Sequence, residues 1–252
     1  MNTARRAAAV AEEGITDMPE VKDAVAFVTG ANGGLGREFV AQALERGAAK
    51  VYASARTPRN DWGDPRVSPI RLDVTSAESI AAAVADAGDT TLLINNAGIS
   101  NRSSVLGDLT GARELFETNV WGALAVVDAF VPVLVANRGA VLNLLSALSW
   151  LGTGDAYSAA KAALWSATNT QRLRLFPRGV HIAALHSGFI DTPMTAGIPG
   201  PKNSAADVVR AAYDGLEAGE FEILADDLSR QVKAGLAGPI ETLYPELMEH
   251  AR

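Results

Sequence analysis

The chain of 252 residues has no cysteine. That removes disulfides and thiolate-held metals and accords with a reducing compartment. Histidine is scarce as well: His181, His186 and His250 are the only three, and they have no metal-ligand spacing, so no metal site is expected. Basic residues fall short of acidic ones, 22 against 29, for a net charge of -7. Such a chain offers no basic surface for nucleic acid or an anionic membrane. There is also no long unbroken apolar run. The stretch 120–135 is interrupted by Asp128 and Pro132 and reads as a buried helix, too short to span a bilayer. The first 23 residues carry Glu12, Glu13, Asp17 and Glu20, which suits neither a secretion signal nor an organelle presequence. These absences leave a soluble cytoplasmic protein with no nucleic-acid and no membrane partner.

What is present is alternation. Near-continuous apolar runs at 24–28, 50–54, 67–72, 91–95, 140–145, 180–185 and 222–225 are separated by helical stretches at 34–46, 76–87, 111–136, 155–176 and 204–218. Apolar strands divided by helices predict a parallel sheet covered on both faces, with right-handed crossovers. The fold class expected is α/β, a doubly wound Rossmann fold of about seven strands. Residues 24–235 form its single domain, preceded by an N-terminal extension (1–23) and followed by a C-terminal tail (236–252).

Two motifs carry chemistry. The first run leads into Thr29-Gly30-Ala31-Asn32-Gly33-Gly34-Leu35-Gly36 and then a helix. Glycines there permit a tight turn, and the free N–H groups of the helix start suit a pyrophosphate. At the end of the second run, where an acid would bind a ribose diol, stand Ala55 and Arg56. A guanidinium can clamp a 2′-phosphate, so NADP(H) is expected in preference to NAD(H), unless Arg56 merely reaches into solvent. The second motif is Tyr157 and Lys161, four apart on one helix face. An ammonium beside a phenol lowers its pKa and makes a proton donor and acceptor for neutral pH. A solvated surface pair is the alternative.

Taken together these segments resemble the short-chain dehydrogenase/reductase family in its compact form, over about residues 24 to 230. Gly30, Asn32, Gly33, Gly34, Leu35 and Gly36 match its cofactor turn, and Asp73 and Val74 its adenine contact. Asn96, Ala97 and Gly98 lie in its Asn-Asn-Ala-Gly motif, while Asn119, Ser146, Tyr157 and Lys161 match its catalytic tetrad. The resemblance implies an NADPH-dependent carbonyl reductase or alcohol dehydrogenase. Tyr157 would give the proton and Ser146 would bind the carbonyl oxygen. Lys161 would tune Tyr157 and hold the nicotinamide ribose, and Asn119 would support a proton-relay water. Gly188, Ile190 and Thr192 would meet the nicotinamide carboxamide.

Departures from the family pattern are visible. Ser146 and Tyr157 are eleven positions apart, a shorter interval than the family usually has, and Ser149 is a rival for the serine role. Ser187 stands where the family usually has proline, which should loosen the backbone before Gly188. His186 is either a second proton-transfer group or a structural histidine. Gly and Pro between Pro193 and Pro201 fit a mobile lid, and with Leu148, Trp150, Leu151, Phe189 and Ile198 they suggest an apolar pocket for a small or medium carbonyl or alcohol. The apolar helix from Gly111 to Val135 and the Trp165 helix would pair protomers into a homodimer or homotetramer. Two other readings stay open: an NADP(H)-binding regulator without turnover, and a halohydrin dehalogenase-like lyase.

Overall fold

A computed structural model describes residues 19–249. Seven parallel strands form one sheet in the order β3-β2-β1-β4-β5-β6-β7. They are β1 (Val25–Val28), β2 (Lys50–Ala55), β3 (Val67–Arg71), β4 (Leu92–Asn95), β5 (Ala140–Leu144), β6 (His181–His186) and β7 (Glu222–Leu224). The helices between them are α1 (Gly34–Glu45), α2 (Ala77–Asp86), α3 (Leu109–Ala136), α4 (Ala156–Leu175), α5 (Ala205–Glu217) and α6 (Asp227–Gly235). Short helices α7 (Ile240–Leu243) and α8 (Glu246–Glu249) follow.

The central strands are buried on both faces, which is why they read as apolar runs without alternation. One core packs α1 and α5 against the sheet around Phe39, Val40, Tyr213 and Leu216. The other packs α2 and α3 on the opposite face around Phe27, Val126, Phe130 and Leu134. Helix α3 is long and apolar enough to cross a membrane by length and composition, yet Val126, Val127, Phe130 and Leu134 are all buried against the sheet. The chain changes direction between β1 and β4, so the crevice beyond their C-terminal ends is where such a sheet receives a ligand.

Both expected boundaries of the body move. Residues 1–18 of the expected extension lie outside the described residues. Val21, however, is fully buried in the α1/α5 core, and its N–H bonds the Glu217 carboxylate at 3.2 Å. The body therefore begins before residue 24. At the other end, the expected tail returns to the body: the Tyr244 hydroxyl accepts a hydrogen bond from the Gly152 N–H at 2.7 Å.

Candidate active site

The glycine turn opens the crevice. Gly30 has φ 66°, and a Cβ on Gly36 would lie 2.3 Å from the Gly30 carbonyl oxygen. No side chain caps α1. Its first bond runs from the Arg37 N–H to the Gly33 carbonyl, so the N–H groups of Gly34, Leu35 and Gly36 have no intrahelical acceptor. An uncapped helix start set in glycine suits the diphosphate of a dinucleotide. The turn is pinned to the end of β4 by Thr29, whose Oγ1 accepts from the N–H groups of Asn96 (2.9 Å) and Ala97 (2.8 Å). Asn96 in turn donates to the carbonyls of Thr29 and Gly30 at 2.7 and 3.2 Å. Asn32 donates to the Thr57 carbonyl at 2.7 Å. Asn32 and Asn96 thus hold the cradle's shape through their side chains.

Arg56, Asp73 and Val74 stand at the ends of β2 and β3, outside the central cavity. Arg56 is exposed. Asp73 accepts from the Thr75 N–H and hydroxyl, and those bonds, more than the charges of Arg56 and Arg71, hold its carboxyl below the usual range.

The cavity, about 530 Å³, brings together Gly30, Gly33 to Gly36, Asn96 to Gly98, Ser146, Tyr157, Lys161, Gly188, Ile190 and Thr192. Leu148, Phe189 and Ile198 share its wall. Trp150 does not. It stacks on the His186 ring at 4.0 Å and meets Trp165 edge-on at 6.0 Å, so it packs behind the site and is not a wall of this cavity. Leu151, Thr153, Met194 and Leu228 also line the cavity.

Ser146 ends the loop from β5. Its Oγ donates to the Ser187 carbonyl (3.3 Å) and accepts from the Leu148 N–H (3.1 Å). Ser149, the rival, accepts from the Ser146 N–H at 3.3 Å and is absent from the cavity wall. Its place is in the turn that presents Ser146. His186 lies beneath, with Nδ1 3.1 Å from the Ser146 carbonyl, and burial pushes its pKa down to about 4. A neutral, wholly buried ring of this kind positions the serine loop and is not placed for proton transfer.

Tyr157 and Lys161 project from α4. Burial pushes the Tyr157 phenol up to about 12 and the Lys161 ammonium down to about 8. The expected depression of the phenol pKa is not found, because burial alone sets its direction. Lys161 Nζ donates to the Leu144 carbonyl at 2.7 Å and faces the Tyr157 ring, 5.6 Å from its centre. Desolvation therefore dominates. Asn119 lies in a π-helical turn, Glu117–Gly122, within α3. Its amide bonds both backbone groups of Ile99, accepting from the N–H and donating to the carbonyl, each at 2.8 Å. One wide turn in a long helix often marks a functional position, and this one fastens the loop after β4.

Two residues missed in the sequence support the site. Asp155, directly before α4, has φ 54° and ψ -126°, and its Oδ1 accepts from the Val105 N–H at 2.7 Å. That strained junction closes the shortened interval between Ser146 and Tyr157; an acid immediately before an Ala-rich helix was the available signal. Asp226 is the other. Its Oδ2 accepts from the Gly188 N–H at 2.6 Å and from Asn203 at 2.5 Å. Burial alone would raise its carboxyl, but bonds from Ser229, Gly188 and Asn203 outweigh that and hold it low. Ser187 thus does not leave the backbone loose, because a buried carboxylate restrains the next residue.

A family model described as short chain dehydrogenase matches residues 24–202. The chain belongs to the short-chain dehydrogenase/reductase family. A short-chain dehydrogenase/reductase of Pestalotiopsis microspora is 34% identical over 176 residues, which is 69% of this chain and 61% of that protein. The cis-4-hydroxycyclohexanecarboxylate dehydrogenase of Sinomonas cyclohexanicum is 33% identical over 190 residues, 69% of this chain and 76% of that one. The matched stretch spans less than two thirds of several of these relatives, 61% and 65% in two of them. Among solved structures, a short chain dehydrogenase from Burkholderia cenocepacia in complex with NADP has a TM-score of 0.86 at 38% identity, over 90% of this chain and 98% of that one. A short chain dehydrogenase/reductase from Burkholderia phymatum in complex with NAD shares the fold at 22% identity, with a TM-score of 0.74 over 93% of this chain and 97% of that one.

Proposed function

We propose that this dehydrogenase is an NADPH-dependent carbonyl reductase, or in reverse an alcohol dehydrogenase, for a small-to-medium ketone, aldehyde or secondary alcohol. The observation that carries the reading is the convergence of Ser146, Tyr157 and Lys161 with the glycine turn on one cavity. Relatives named for hydroxysteroid and hydroxycyclohexanecarboxylate dehydrogenases support a ring alcohol or ketone as substrate. A reduced nicotinamide held along the glycine turn would supply a hydride, two electrons with one hydrogen nucleus, to the carbonyl carbon. The residues do the rest. Ser146 donates a hydrogen bond to the carbonyl oxygen and fixes its position. Tyr157, a phenol protonated at neutral pH whose pKa burial raises further, gives its proton to that oxygen, so C=O becomes CH–OH. Lys161, charged below about 8, stabilises the phenolate left behind, and Asn119 holds the loop after β4 in place.

Arg56, exposed directly after the end of β2, supports NADP(H) over NAD(H). Exposed Leu109 and Trp121 on α3 and Leu173 on α4 support a homo-oligomer built on those helices, whereas Trp165 is turned inward onto Glu222. The deciding experiment follows NADPH and NADH oxidation over a panel of cyclic ketones, for the native chain, Arg56→Ala and Tyr157→Phe. NADPH-linked turnover that Tyr157→Phe abolishes and Arg56→Ala shifts toward NADH is expected. Cofactor binding without turnover by the native chain would leave the regulatory reading.

A further inference from the structure

Two lips frame the outer end of the cavity. One is the loop after β4, which contributes Ser100. The other is the lid running from Pro193 to Ile198. Arg102 bridges them. Its Nη2 lies 2.9 Å from where a Cβ on Gly197 would stand, so the guanidinium rests on the lid at a residue with no side chain to exclude it.

The arginine is held there at a cost. Its backbone is left-handed, φ 57°, an uncommon setting for a non-glycine residue and one that persists only where surroundings enforce it. No ion pair among the described residues includes Arg102, and it is solvent-exposed. Arg102 is not itself part of the cavity wall, but Ser100, two residues before it, and Ile198, next to Gly197, both are, so its guanidinium stands beside the mouth.

The charge distribution of the cavity gives this position a use. Of the described side chains that line it, only Lys161 is charged, and its buried ammonium is bound to the Leu144 carbonyl. The rest of the wall is largely apolar, with Leu148, Leu151, Phe189, Met194 and Ile198 beside the hydroxyls of Thr153 and Thr195. A molecule filling this space would present an oxidisable or reducible carbon to Ser146 and Tyr157, an apolar middle to the wall, and its far end to a planar fork of N–H donors. Carboxylates fit that fork in a two-pronged contact.

We propose that the substrate is a keto acid or its hydroxy acid, with the carboxylate held by Arg102 between the loop after β4 and the lid. This rests on the carbonyl-reductase reading above. Binding the anion ties the two lips together, so the charge of the correct substrate helps to shut the lid over the reacting carbon.

The test compares 4-oxocyclohexanecarboxylate and 5-oxohexanoate with their methyl esters, using NADPH oxidation. The native enzyme should favour each acid in kcat/KM by about tenfold, as for a charged hydrogen bond at a partly exposed site. In Arg102→Ala the acid-to-ester ratio should fall toward one, chiefly through KM. Arg102→Lys should restore part of it, and Arg102→Glu should invert it. Gly197→Ala, whose methyl group would displace the guanidinium, should lower the same ratio without removing the charge. A native preference for the esters, or an acid-to-ester ratio unchanged in Arg102→Ala, overturns the inference. Calorimetric binding of the same pairs in the presence of NADP+ distinguishes it from the reaction itself. Arg102-dependent preference for the acid without turnover would keep this inference and remove the proposed reaction; equal affinity for acid and ester would overturn it.

Discussion

The Lys161 ammonium donates its hydrogen bond to the Leu144 carbonyl, 2.7 Å away, while the Tyr157 ring centre stands 5.6 Å from the same nitrogen. Lysine and tyrosine share a helix face, as their spacing requires, but the lysine is anchored to the end of β5. Its charge therefore depends on burial, which brings its pKa down to about 8.

That dependence sets a pH profile. The free enzyme's ionisations appear in kcat/KM. For ketone reduction Tyr157 is protonated throughout the neutral range, with a pKa near 12, so the limb belongs to Lys161. Reduction should be flat below pH 8 and fall above it, while oxidation of the alcohol, which needs the phenolate, should rise. Lys161→Arg should move the falling limb to higher pH. A limb that stays in place in that variant would assign it to another group.

The two serines should separate cleanly. Removing Ser146, the hydroxyl in the cavity wall, should lower kcat/KM by about 10²–10³, the usual effect of losing one positioned oxyanion donor. Ser149→Ala removes an acceptor for the Ser146 N–H. It should cost about 1 kcal/mol of stability, as loss of a helix cap does, and far less activity. Urea unfolding beside steady-state kinetics reads both, and the opposite pattern would exchange the roles.

His186 should make stability fall on acidification. Its folded pKa, about 4, is below the ordinary imidazole value of 6.5, so the unfolded chain takes up the proton first. The contribution is fully present above about pH 6.5 and is lost as pH falls toward 4, on the order of 3 kcal/mol. Asp226, whose carboxyl is held low, adds its own loss only below the ordinary carboxylate range. Urea unfolding across this range should show the His186 slope, and His186→Phe should flatten it while the Asp226 part remains.

Asp155 couples backbone strain to the loop at the cavity mouth. Glycine adopts φ 54° and ψ -126° freely and alanine does not, so Asp155→Gly should be more stable than Asp155→Ala. Both lose the bond to the Val105 N–H and should raise substrate KM, whereas Asp155→Asn keeps an oxygen acceptor and should raise it less. Alanine proving the more stable replacement would show that the junction is not strained.

Strand and helix positions were legible because both faces of a parallel sheet are apolar and the crossovers are long. The expected runs coincide with the seven strands and the first five helices to within a few residues. Helix α6 was missed because its inner face rests largely on Ser229 and Val232, a short pattern with little apolar signal. The π turn at Asn119 was invisible for a different reason: one extra residue per turn leaves composition unchanged and is seen only in the hydrogen bonds.

The sequence by itself determined the order of the elements, the glycine turn that admits no side chain at Gly36, and the residue types that meet in the cavity. These follow from local sterics and from periodicity, which a chain carries before it folds. Tertiary structure decided what those residues face: Trp150 packed on His186, Ser149 behind Ser146, Lys161 tied to Leu144, and Arg102 laid across the lid at Gly197. Such relations join positions far apart in the chain, and a pKa set by burial exists only once neighbours from separate strands and helices have excluded water.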